Sequence, residues 1–141
     1  MPDHIFVMCF STDLSKLVTL TQLHGPEFWR NKLSFPSGQP LPGELPEVTA
    51  SRVLLEKTGL LVASAEMDFP ILYRKTRHWL MQVYLCQVPD DLIRTAQSLT
   101  DEPVRVQAPA ELLLAAWKDP AIFCLDFMEL MAMAREAALP Q

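Results

Sequence analysis

Between residues 38 and 60 the chain reads GQPLPGELPEVTASRVLLEKTGL, and this stretch holds most of the residues that could do chemistry. Arg52 and Glu56 stand four apart, which places them on one helical face, with Lys57 beside them and Glu44 in the loop ahead. A helix that presents carboxylates on one face can hold a hard cation, and one that presents Arg and Lys can meet phosphate. The same Arg52–Glu56 spacing also fits a plain surface ion pair, worth a few tenths of a kcal/mol.

The elements around these residues are legible from local signals. Three of the four glycines, Gly38, Gly43 and Gly59, fall inside the stretch, where the backbone must need positive φ or close approach. Pro36, Pro40 and Pro42 stiffen a loop, Pro46 suits the first turn of a helix, and Gly59 suits its left-handed stop. The local reading is strand, rigid loop, helix over 46–58, glycine stop, strand.

Elsewhere, HIFVMCF (4–10) reads as a strand buried on both faces and KLVTLTQL (16–23) as a second strand. KLSF (32–35), LLVASAEM (60–67), HWLMQVYLCQV (78–88) and EPVRVQ (102–107) are further strands, with YRKTR (73–77) as a basic connection. Helices are expected over 89–99, 108–117 and 119–139. Strands mixed with a few helices give an α/β (α+β) fold, and the lack of a repeat or linker gives one domain over residues 1–141.

Composition narrows the function classes. The 141 residues are half apolar with a net charge of −5, which gives general nucleic-acid binding no electrostatic support. No apolar run approaches the length of a membrane helix. Cys9, Cys86 and Cys124 are odd in number and set among apolar residues, as reduced core thiols of a cytoplasmic protein would be. His4, His24 and His78 are too scattered to suggest a metal site. There is no nucleophile elbow, P-loop or zinc-ligand spacing.

The opening stretch resembles the Nudix box, G-x5-E-x7-R-E-U-x-E-E-x-G-U, where U is a bulky aliphatic residue. Gly38, Glu44, Arg52, Leu54, Glu56, Gly59 and Leu60 fall at the required spacing, seven of nine constrained positions. The preceding LSFPSG and the later DEPVRVQAPAELL are similar to segments that flank the box in the family. The resemblance implies an α/β/α sandwich around a mixed sheet, with box glutamates holding Mg²⁺ or Mn²⁺ against a nucleoside diphosphate linked to another moiety.

Two of the three glutamates of R-E-U-x-E-E are replaced, by Val53 and Lys57, so Glu56 alone remains. By the resemblance, Arg52 orients Glu56 as the catalytic residue. Gly38, Glu44, Lys57 and Arg74 are candidates to contact ligand, and Glu102 is the candidate second metal ligand beside Glu56, with Glu66 and Asp68 as lesser ones. Val53 can neither ligate a metal nor take a proton, and reads as extra packing beside Val48, Leu54 and Leu55. Lys57 is open to two readings: a solvated cation near a helix C-terminus, or an ammonium in the place of the missing metal that meets ligand phosphate. Arg74, Lys75 and Arg77 are either a solvated loop or a phosphate contact, and Phe28 and Trp29 either stack on a base or cover the sheet edge.

Two function classes follow. One is a binding module for a phosphorylated small molecule with weak or absent hydrolysis. The other is a working diphosphohydrolase that uses Glu56 with acids from outside the box and Mg²⁺ or Mn²⁺. The last helix, with Asp126, Glu129 and Glu136 on one stripe and a wide apolar remainder, suggests a homodimer with Phe127 or Met131 near the contact.

Overall fold

The computed structural model describes residues 4–25, 27–76 and 79–138, apart from the side chains of 69, 72–79 and 137–138. Seven strands form one mixed sheet: β1 (His4–Ser11), β2 (Leu17–Gln22), β3 (Lys32–Ser34), β4 (Ser37–Gly38), β5 (Asp68–Thr76), β6 (Trp79–Val88) and β7 (Val104–Gln107). The main order is β3-β2-β1-β6-β5, with β4 paired to β1 and β7 to β2. The central pair β1–β6 is parallel, with His4 opposite Met81 and Ser11 opposite Val88; the pairings of β1 with β2, β2 with β3 and β5 with β6 are antiparallel.

Alternation along β1 divides the core. Phe6, Met8 and Phe10 face α3 (Pro109–Lys118) and α4 (Phe127–Ala138), while Ile5, Val7 and Cys9 face α1 (Pro46–Thr58) and the short α2 (Asp90–Ile93). Period-two side chains on a central strand must fill both faces, and the result is the expected α/β/α sandwich. Cys9, Cys86 and Cys124 are all buried free thiols.

Helix α1 spans the expected residues. It begins with Pro46 at its first position, needs no side-chain cap, and ends where Gly59 takes φ 78 and donates its N–H to the Leu55 carbonyl.

Four expectations are corrected. Residues 60–67 are not a strand: Leu60 and Val62 do alternate into the core, but the segment pairs with no strand and closes in a 3-10 turn at Ser64–Glu66. The side chain of Ser51 holds the Val62 carbonyl instead. The run 73–77 is not a connection through 76, because β5 continues to Thr76 and pairs Tyr73 with Met81 and Arg74 with Leu80. This is an edge strand, the position in a sheet where charged residues are tolerated and discourage further pairing.

The helix expected over 89–99 stops at Ile93. The following chain is drawn to the end of α1, where Gln97 and Leu99 donate N–H groups to the carbonyls of Thr58 and Lys57. The helix expected over 119–139 starts only at Phe127. Phe123 bridges to Leu33, Cys124 donates to the Leu33 carbonyl, and Asp126 accepts from the Glu129 N–H at 3.0 Å as a cap rather than a stripe residue. Phe127 is buried, with its ring stacked 4.4 Å from Phe123, so it is no surface contact; Met131 is half-buried.

Candidate functional site

The loop from Gly38 to Leu45 lies against α1 because Glu44 reaches back to it. Its Oε1 accepts from the Leu41 N–H at 3.1 Å, from Thr49 Oγ1 at 2.6 Å and from Arg52 Nη2 at 3.0 Å, and its Oε2 accepts from Arg52 Nε at 2.9 Å. This is a two-pronged guanidinium–carboxylate pair. Arg52, followed by Thr49 and the Leu41 amide, holds the Glu44 carboxyl down from 4.5 to about 2, and Glu44 in turn raises Arg52 above its ordinary value. Arg52 also donates to the Gln39 carbonyl at 3.0 Å and to Glu56 at 3.2 Å. One arginine thus joins loop, helix and the remaining box glutamate. Glu56 is the exposed member, with 55% of its side chain in solvent.

Val53 stands on the buried face of the same helix, 1% exposed, among Ile5, Val7 and Leu54. Gly38 packs directly on it: a Cβ at Gly38 would sit 2.7 Å from Val53 Cγ1. Gly38 therefore serves a close approach between loop and helix.

At the other end of α1, Lys57 Nζ lies 3.1 Å from Glu102 Oε1. Glu102 is only 3% exposed, and its Oε2 accepts the Leu23 N–H at 2.8 Å. A buried carboxylate needs such partners. His4, at the start of β1, is depressed from 6.5 to about 4, first by burial and then by the nearby Lys57 charge. Its ring lies 6.0 Å from Trp29, which is buried edge-on against Phe6. Phe28, edge-on to Trp29 at 5.7 Å, is 56% exposed.

The structure therefore brings Glu44, Arg52 and Glu56 together along one side of α1, and Lys57, Glu102 and His4 together at its C-terminal end. Glu66 and Asp68 are exposed and join neither group, and Asp68 pairs with Leu85 four residues along the sheet from the His4 row. The side chains of Arg74 and Lys75 and the whole of Arg77 lie outside the described residues. His24 pairs with Asp101 at 2.7 Å. Thr49, the Leu23 amide and the charged role of Glu102 toward Lys57 were not foreseen; these partners lie 5, 79 and 45 residues apart and leave no periodic signal. A groove of about 610 Å³ elsewhere on the sheet has Asp68 in its lining but none of the residues of the two groups on α1.

The sequence model of the NUDIX domain matches residues 3–125. The chain belongs to the Nudix family. Solved structures agree with the fold. The NUDIX domain of Shewanella oneidensis NrtR, complexed with ADP ribose, superposes with a TM-score of 0.71 at 17% identity, over 94% of this chain and 85% of that one. A MutT structure from work on the Aliivibrio salmonicida and Vibrio cholerae proteins gives 0.60 at 18%, over 78% and 80%. A MutT/nudix family protein from Enterococcus faecalis gives 0.62 at 14%, and this chain spans only 43% of its length. Curated protein sequences give no significant match.

The Nudix box implies Mg²⁺ or Mn²⁺, and the residues present do not fit such an ion. Mg²⁺ wants several hard oxygen ligands in an octahedron. Here Val53 is apolar, Lys57 neutralises Glu102, and Arg52 occupies both Glu44 and Glu56. Among the described residues no three His, Cys, Asp or Glu side chains are grouped to hold a metal. No described helix is long and apolar enough to cross a membrane.

Proposed function

We propose that this Nudix-family chain is a binding domain for a nucleoside-diphosphate-linked small molecule, with weak or absent hydrolysis. The observation that carries the reading is the fate of the two replaced box positions. Val53 is committed to the core, and Lys57 is committed to the carboxylate nearest to it. Losing a general base costs roughly 10²- to 10⁴-fold in rate, and a site without a metal also loses its charge neutralisation.

Binding asks for less. Phe28 offers an exposed ring for a base to stack on. The NrtR domain of the same fold was solved with ADP ribose, which makes that compound the first ligand to try. Three buried free thiols fit a reducing, cytoplasmic setting.

A second reading, slow metal-dependent hydrolysis, is favoured by the exposure of Glu56, which can leave Arg52 when substrate oxygens complete a metal shell. Calorimetry with ADP-ribose in EDTA and in Mg²⁺, combined with chromatographic product analysis, separates the two. Equal binding in both buffers and no product is expected. Turnover in Mg²⁺ or Mn²⁺ that Glu56→Gln abolishes would overturn the binding-only reading in favour of the second.

A further inference from the structure

The opposite end of the sheet carries a groove of about 610 Å³, between α3, α4 and the ends of β1 and β6. Phe10, Leu85, Leu113, Met128 and Met131 line it, with Leu14 at its lip. Leu14 takes φ 63, a conformation that bulky L residues rarely adopt, and its side chain is 45% exposed. Asp68 and Arg135 also border the groove, and neither pairs with an opposite charge among the described residues. Next to it, the outer face of α3 repeats apolar residues at helical spacing, Ala110, Leu113, Leu114 and Trp117. Leu114 is 56% and Trp117 74% exposed.

We propose that this face is an isologous dimer interface, in which Trp117 of each copy enters the groove of the other. The partner is a second copy of this chain because the face is complementary to itself. It carries a projecting aromatic and a cavity roomy enough to receive it. It also carries one unpaired acid and one unpaired base, so a two-fold axis can set Asp68 of one copy against Arg135 of the other. A small ligand in the groove would leave Trp117 and Leu114 in water. Met128 and Met131 are flexible enough to close around an indole, with favourable sulfur–ring contacts. Trp, Met and Arg are the residue types enriched at such contacts.

Analytical ultracentrifugation of the full chain at micromolar concentration tests this. A species of twice 16.0 kDa is expected. Trp117→Ala should raise the dimer Kd by about 30-fold or more, as for other buried aromatic anchors. Circular dichroism should stay unchanged, since the side chain is exposed in the single chain. Asp68→Arg and Arg135→Asp should each weaken the dimer, and the two together on one chain should restore it, which a merely structural role would not do. A monomer up to about 100 µM, an unchanged Kd for Trp117→Ala, or a double reversal no better than the singles would overturn the proposal.

Discussion

Lys57→Glu reverses the charge at the replaced ligand position and makes the sharpest test of the box. At 3.1 Å the Lys57–Glu102 attraction is at most about 5 kcal/mol for an effective dielectric near 20. Desolvation and the 27% exposure of Lys57 reduce the net value to about 2 kcal/mol, typical of a hydrogen bond to a charged group. The glutamate loses this and adds repulsion against Glu102, which cannot escape because it is buried and bonded to the Leu23 amide. The expected total is about 4 kcal/mol without metal, or about 10 °C in Tm for a domain of this size. A glutamate at 57 then faces Glu102 as a pair of acids that a divalent cation can bridge. A Mg²⁺ concentration ten times the Kd of such a site would return about 1.4 kcal/mol. Thermal unfolding with EDTA and with Mg²⁺ reads both effects: Tm indifferent to Mg²⁺ in the native chain, low and Mg²⁺-dependent in the variant. A native chain stabilised by Mg²⁺, or a variant as stable in EDTA as the native chain, would refute the reasoning.

Two further outcomes follow from the same region. Gly38→Ala should cost about 1–3 kcal/mol by overpacking against Val53, and Val53→Ala in the same chain should recover part of that, so that the two changes are non-additive by about 1 kcal/mol in urea unfolding. His4 should shape the acid limb of stability: the unfolded chain takes up its proton near 6.5 and the folded chain only near 4, so stability falls as pH drops through that window. His4→Gln should flatten the limb between those values in urea titrations at stepped pH. The loss due to Glu44 remains, and it begins lower, between 4.5 and about 2.

What was legible depended on the reach of the signal. Helix α1 matches its expected residues because Pro46 and Gly59 are local punctuation, and the box spacing lies within one loop and one helix. The Arg52–Glu56 contact follows from helical geometry alone. Residues 60–67 misled because their alternation is real but has no ladder partner. The segment 73–76 misled because an edge strand tolerates the charges that usually mark a loop. Helices at 89–99 and 119–139 were shortened by tertiary hydrogen bonds from Gln97, Leu99 and Cys124, which no local pattern encodes. The pairing of Lys57 with Glu102 is hidden in the same way, since their 45-residue separation is closed only by the fold.

The two replacements in the box are not equivalent, and their burial says why. A carboxylate at 53 would enter the packed layer between α1 and β1, among Ile5, Val7 and Leu54 and against a glycine already in close contact. Restoring it needs a repacked core as well as a new side chain, because a buried charge without a partner costs several kcal/mol. Position 57 is different. Its side chain reaches the surface, and its partner Glu102 is already a carboxylate held in place by backbone. The charge of one side chain thus separates the present ion pair from two acids set against each other, one of them buried. Grouped acids repel unless a metal lies between them, whereas an ammonium among them stabilises the fold by itself. At Glu102 the lysine therefore provides the positive charge that a buried carboxylate needs.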